Sequence, residues 1–398
     1  MIDSVTTVGD AGDINCWSGI PRHFASAARF AGFAAEPWRI DMSRAAWPRR
    51  LWNLKRILTG QGRGGFQYSE EFARFALDGI PARSLSGRVL SFNQHFPPAS
   101  SIVSRGGKLC LYLDATFPLL LDRYGLARGL SAAVQAECLA KEREAFSQAE
   151  WLVFFQRWSA ESAIRDCGAD PRKVRVICPG ANLNLPVDWP AFARPGPPSA
   201  DRPLILGFIG KDWRRKGLPF LQSVRACLVR AGVPTVIRCA GGVPENLPPD
   251  SGIEAWGFIN KHTEPSRFLD FLSGCDLGCL FSEAEASSIA VLEFLRAGIP
   301  VAGFVVDGMV DLFPPDAGFR FDPGTTAEAV AERLVATLPD EDAVGRLRAA
   351  AHGWSSRVTW ERCVNEWREL LTTGNVANPL QLWRGLPEHL GRIGSLPR

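Results

Sequence analysis

The sequence predicts an α/β protein built from two Rossmann-like domains, and three observations predict it. Short apolar runs alternate with helical spacings along nearly the whole chain, the pattern of parallel strands joined by crossover helices. The 398 residues are enough for two such domains. A stretch dense in proline, with Pro190, Pro195, Pro197, Pro198 and Pro203, divides the chain near its middle. The expected layout is a first domain at 1–186, a stiff linker at 187–203, a second domain at 204–355 and a closing helix and tail at 356–398.

Composition removes several classes. Hydrophobic residues make up 46% and charged residues 22%, which places the chain among ordinary globular proteins. A net charge of +3 is too small to argue for a nucleic-acid partner. No apolar run reaches the roughly 18 residues of a membrane span. The start, Met1-Ile2-Asp3-Ser4, lacks a basic-then-apolar leader. The ten cysteines include no CxxC pair, and Cys275 and Cys279 have no histidine nearby, so buried reduced thiols in a cytosolic protein are expected rather than zinc or disulfides.

The elements follow in order. Residues 5–8 read as a strand. The loop after it leads through Gly19 to Pro21, which suits a first helical position, and Gly32 ends that helix. Gly19 lets backbone approach a ligand closely at this first strand-to-helix turn. Residues 47–58 form a basic amphipathic helix with Trp47, Leu51, Leu54 and Leu58 on one face. Either that stripe packs on the domain or the helix lies on an anionic membrane surface, where a lipid-linked acceptor would be found. Strands are expected at 89–92, 109–113, 149–155 and 173–178. Asn93 and His95 follow the first of these, and Asp114 follows the second.

In the second domain, 204–209 is a strand. It is followed by Gly210-Lys211-Asp212-Trp213-Arg214-Arg215-Lys216-Gly217, a strand-to-helix turn with four cations, which forms an anion site. Further strands are expected at 234–239 and 253–258. Residues 276–281 are an apolar strand, and Ser287 or Ser288 can cap the next helix. Gly298 and Pro300 stop that helix before a strand at 299–304. The free N–H groups of Ser288 and Ile289 at the helix start suit a phosphate. Glu285 lies on the loop before the helix, and Glu293, inside it, can reach a ribose diol.

Glu285-x7-Glu293 before Ala297-Gly298-x-Pro300, together with the Lys216-Gly217 turn, resembles the signature of retaining family 4 glycosyltransferases of the GT-B fold. The opening Asp13-Ile14-Asn15-Cys16-Trp17-Ser18-Gly19-Ile20-Pro21 looks like the start of bacterial members. Pro179-Gly180-Ala181-Asn182 and Asp307-Gly308-Met309-Val310-Asp311 resemble two further family loops. The resemblance spans about residues 5–371.

The resemblance implies two domains facing a cleft, with the final helix (Trp360, Val364, Trp367 and Leu371 on one stripe) crossing back to the first. It implies transfer of a sugar from a nucleotide-diphosphate sugar to a carbohydrate, lipid-linked or other acceptor with retention, in glycan or surface polysaccharide synthesis. Lys211, Arg215 and Lys216 would hold the diphosphate, Phe258 to Lys261 the base, Glu293 the ribose, and Glu285 the sugar. Asp114 stands where a histidine usually contacts the sugar, with His95 a substitute on the acceptor side. Neither a metal nor another cofactor is implied. The enzyme would act in the cytoplasm, or at the inner face of the membrane.

Three features depart from the family pattern: Asp114, Lys211 in place of arginine, and Ser287-Ser288 where an aromatic followed by glycine is usual. Two alternatives stay open. One is a nucleotide-sugar 2-epimerase of the same fold, for which His95 and Asp114 are the candidate acid/base groups. The other is a non-catalytic nucleotide-sugar-binding protein.

Overall fold

A computed structural model describes residues 1–60, 64–185, 199, 201–248 and 251–376. Most of the expected linker at 187–203 and the tail after 376 lie outside the described residues. The chain forms two compact units. One contains Met1–Asn182 together with Trp360 and the helix that it opens, and the other contains Leu183–Thr359.

The first unit holds a parallel sheet of β1 (Ser4–Thr6), β2 (Glu36–Pro37), β3 (Arg88–Ser91), β4 (Lys108–Leu113), β5 (Trp151–Phe154) and β6 (Val174–Val176), in the order β2-β1-β3-β4-β5-β6. Its middle strands β3, β4 and β5 are apolar apart from Arg88, Ser91 and Lys108, because helices cover both faces. The last helix, Trp360–Thr373, belongs here. Trp367 is fully buried, edge-on to Phe24 at 6.1 Å and to Tyr112 at 5.3 Å. Leu370 is buried on this stripe, and Leu371, expected there, is half-buried.

The second unit holds β7 (Leu204–Gly210), β8 (Thr235–Gly241), β9 (Ile253–Gly257), β10 (Leu277–Leu280), β11 (Val301–Phe304) and β12 (Gly318–Phe321), all parallel, in the order β12-β11-β10-β7-β8-β9. The chain runs outward from β7 to β9 and then returns to β10 on the other side of β7. The strand order therefore reverses between β7 and β10, and a doubly wound sheet opens its ligand crevice beyond the carboxyl ends of the strands flanking such a point. In the first sheet the reversal falls between β1 and β3.

Several helices have no counterpart in the sequence reading. The longest described helix, Ala132–Gln148, is one of them: its charged and apolar residues are spread around the axis, so no stripe marks it. The helix Ala46–Leu58 forms. Of the two alternatives for residues 47–58, packing of the stripe on the domain is not what the structure shows: Trp47, Leu51, Leu54 and Leu58 all face solvent. No described helix is long and apolar enough to cross a membrane.

Candidate functional site

The carboxyl ends of β7, β9, β10 and β11 bring one set of charged side chains together in the second unit. The turn after β7 is shaped by Gly217, whose φ of +83° favours glycine and which caps the helix Leu218–Arg230. A Cβ on Gly217 would lie 2.1 Å from the carbonyl oxygen of Phe281, so only a bare α-carbon lets this turn lie against the end of β10. That close approach places Lys216 beside the loop of Glu285.

Lys216 Nζ lies 2.7 Å from Glu285 Oε2. Arg215 Nη1 donates to the Ala284 carbonyl at 2.7 Å and lies 3.5 Å from the same carboxylate oxygen. The Ser282 hydroxyl donates to that oxygen at 3.3 Å, and the Glu285 N–H donates to Asp307 Oδ2 at 3.2 Å. Asp307 itself adopts a left-handed φ of 49°. Glu285 is buried, so its orientation is set by these partners rather than by solvent.

Glu293 lies in the helix Ile289–Arg296 and is 1% exposed. One of its oxygens pairs with Lys261, which follows β9. The other, Oε2, is buried without a partner. Burial pushes this carboxyl above its ordinary value, while Lys261 and then Lys216 pull it down. The charge of Lys216 thus reaches both acids, which places the basic turn and the helix start at one site.

Ser288 occupies the N-cap position of that helix, but its hydroxyl makes no cap bond. This corrects the capping expectation: the Ser287 and Ser288 hydroxyls are both buried and unpartnered. Buried polar atoms without partners cost free energy unless a ligand or water satisfies them. Two hydroxyls and one carboxylate oxygen therefore form a set of unmet hydrogen-bonding groups at a helix start, whose first N–H groups have no partner within the helix. Lys211 is exposed, its ammonium 5.2 Å from the ring centre of the half-exposed Phe258.

In the first unit the expected residues fare differently. Gly19 has a φ of +79°, following left-handed Trp17 and Ser18, and a Cβ there would sit 2.8 Å from the Ile14 carbonyl oxygen. Asn182 holds this turn: its amide donates to Ser18 O at 2.6 Å and accepts from Trp360 Nε1 at 2.9 Å. Asp114 follows β4, half-buried, and its carbonyl accepts from Ser159. His95 is buried, and its Nδ1 has no partner. Its ring lies between Tyr68 and Phe117 at 5.0 and 5.1 Å, Nε2 sits 3.0 Å from Cys138 O, and burial pulls its pKa down to about 4.

Two polar residues here went unread in the sequence. Gln156, just past β5, has both amide atoms buried and unpartnered. Glu142, fully buried, accepts from the Phe117 N–H at 2.8 Å and from the Cys167 thiol at 3.3 Å, and burial pushes its carboxyl up to about 7. The only signal for Gln156 was a polar residue closing an apolar run. Glu142 lies in the stripeless helix and gave none.

Another cavity of about 240 Å³ opens beside Leu204 and Leu277, at the amino ends of β7 and β10, with Arg202 and Arg348 paired to Asp276. It lies at the wrong end of the sheet to be the crevice of a doubly wound fold.

No family model matches the chain. A D-inositol 3-phosphate glycosyltransferase of Xylanimonas cellulosilytica is 28% identical over 271 residues, which are 61% of this chain and 63% of that protein, so the chain spans under two thirds of this relative's length. Sucrose-phosphate synthase from Thermosynechococcus elongatus superposes with a TM-score of 0.63 at 15% identity, covering 93% of this chain and 98% of that one. HepE of Anabaena, solved with UDP and glucose, gives 0.61 at 12% identity over 94% of this chain and 100% of that one. The chain is thus similar in sequence to a glycosyltransferase, and its two Rossmann-like units have the fold of the solved GT-B glycosyltransferases.

Proposed function

We propose that the chain is a retaining glycosyltransferase that binds a nucleotide-diphosphate sugar on its second unit. The observation that carries this is the pairing of Lys216 with Glu285 and of Lys261 with Glu293 around a helix start whose serine hydroxyls are unpartnered. Lys211, Arg215 and Lys216 supply positive charge to the diphosphate, and the Ser288 and Ile289 N–H groups with the Ser287 and Ser288 hydroxyls meet its oxygens. The free Glu293 Oε2 accepts from a ribose hydroxyl, and Phe258 offers a face to the base. Glu285, held by Lys216 and Arg215, faces the sugar.

In the transfer, the bond from the anomeric carbon to the β-phosphate oxygen breaks and a bond to the acceptor oxygen forms on the same face. The acceptor proton passes to the departing phosphate oxygen. The basic turn stabilises the charge that grows on that phosphate, an electrostatic effect realised mainly in the transition state. The acceptor is a hydroxyl of a carbohydrate or of a lipid-linked glycan. The interior position of His95 weakens the epimerase alternative, which needs acid/base groups at the sugar.

The test screens UDP, GDP, ADP and TDP by thermal shift, and then measures turnover with the sugar of the base that binds. Glu285→Ala is expected to keep nucleotide binding and lose turnover. Unchanged turnover removes Glu285 from the mechanism, and no stabilisation by any of the four removes the donor reading.

A further inference from the structure

The helix Ala46–Leu58 of the first unit is mounted the wrong way round for a surface helix. A helix on a globular protein ordinarily turns its apolar stripe inward. Here the inward face carries Trp52, packed on the core beside Phe66, together with the polar Asn53 and Arg56. Trp52 donates through Nε1 to Gly64 O at 3.0 Å, and Asn53 Oδ1 accepts from Gly64 N at 3.0 Å. Arg56 is 5% exposed, with its guanidinium over the Trp52 ring and 3.5 Å from the Ser131 hydroxyl.

The outward face carries the stripe. Trp47 is 71% exposed, Leu51 58%, Leu54 54%, Ile57 44% and Leu58 78%. Five large apolar side chains on one outward-turned helix exceed the scattered singles that need no explanation. Arg49, Arg50 and Lys55 are exposed beside the stripe, and the helix contains no acidic residue. Lys55 lies 3.7 Å from the Glu71 carboxylate in a largely solvated pair.

We infer that this face docks on an anionic lipid bilayer, the helix lying in the plane of the headgroups. Leucines and Trp47 enter the interface while the cations meet lipid phosphates, the arrangement of an interfacial amphipathic helix. Charge decides against a second copy of the chain as the occupant. A two-fold contact brings the same patch together with itself. Arg49, Arg50 and Lys55 would then face their own counterparts with no carboxylate from either helix to offset them. An anionic surface meets the cations and the stripe together. The inference rests on the first unit and does not depend on the donor reading.

The test is co-sedimentation of the full chain with vesicles of phosphatidylcholine alone or mixed with phosphatidylglycerol. Binding to the mixed vesicles is expected, weaker by about tenfold or more on phosphatidylcholine alone and in high salt. Leu51→Gln with Leu54→Gln, and separately Arg49→Gln with Arg50→Gln, should each lower binding by a similar factor. All four positions are solvent-exposed, so the melting temperature and nucleoside diphosphate affinity should stay unchanged. The proposal is overturned if the wild-type chain stays in the supernatant, or if the leucine variant binds as well as wild type. It is equally overturned if the leucine variant abolishes a concentration-dependent dimer, which would make a second copy the occupant.

Discussion

The carboxyl ends of the two sheets make an instructive contrast. In the second unit they end in charge: Lys216, Lys261, Glu285 and Glu293, paired across neighbouring loops. In the first unit the corresponding ends hold, beside the half-buried Asp114 after β4, neutral polar atoms without partners, among them the Thr6 and Thr7 hydroxyls and the Gln156 amide. The titratable groups buried near these ends, His95 and Glu142, are both shifted toward their uncharged forms. Both units have the same architecture, so the difference belongs to the loops. Fixed opposite charges prepare a site for an anion whose charge changes during reaction. Neutral donors and acceptors suit hydroxyl recognition, where an unmatched group is penalised.

Substitutions can break or sharpen this contrast. Lys216→Ala should have the largest effect, lowering turnover by about 10²–10³-fold, because on the proposed reading it removes the cation at the leaving phosphate and leaves Glu285 with the more distant Arg215. Release of nucleoside diphosphate under steady state measures it.

The next concerns pH. His95, with its pKa drawn from 6.5 down to about 4, makes folding less favourable as pH falls through that window, because only the unfolded chain takes up the proton. Glu142, raised from 4.5 to about 7, acts in the opposite sense: its contribution is full below 4.5 and lost as pH rises toward 7. Between about pH 4.5 and 6.5 the two nearly cancel. Glu142→Gln should therefore unmask His95, with stability dropping by up to about 1.4 kcal/mol per pH unit on acidification, read from denaturant unfolding.

Gly217→Ala should cost about 1–3 kcal/mol in the second unit's unfolding, since the new methyl would both strain φ and press on Phe281 O. Glu293→Gln should be the mildest. It should weaken nucleoside diphosphate binding about tenfold by calorimetry and leave the 2′,3′-dideoxy analogue unaffected, as one charge-assisted hydrogen bond is worth about that much.

Much of this arrangement could be read from residue order, and the failures have physical causes. Lys216-Gly217 and Glu-x7-Glu were informative because a strand-to-helix turn and a helix start have fixed geometry, so spacing along the chain becomes position in space. The Lys261–Glu293 pair was not legible, since it joins β9 to a helix 32 residues later through tertiary packing alone. For Ala46–Leu58, periodicity located the stripe but could not say which face meets water, a matter decided by Gly64 and Ser131. Ser288 fell at the cap position as expected, yet its hydroxyl rotates free of the cap. His95 looked like a loop residue because its burial depends on Tyr68 and Phe117, both distant in sequence.

The return of the last helix to the first unit bears on how the protein is made. Phe24 and Tyr112 leave the ribosome early, but the ring that packs on both, Trp367, emerges more than 250 residues after Tyr112. The Asn182 amide that holds Ser18 likewise awaits the indole of Trp360. The second unit has all its strands before that helix is made and can fold during translation, while the first keeps an open apolar seam until the helix follows. A ribosome stalled before codon 360 would leave that seam exposed to chaperones and to aggregation.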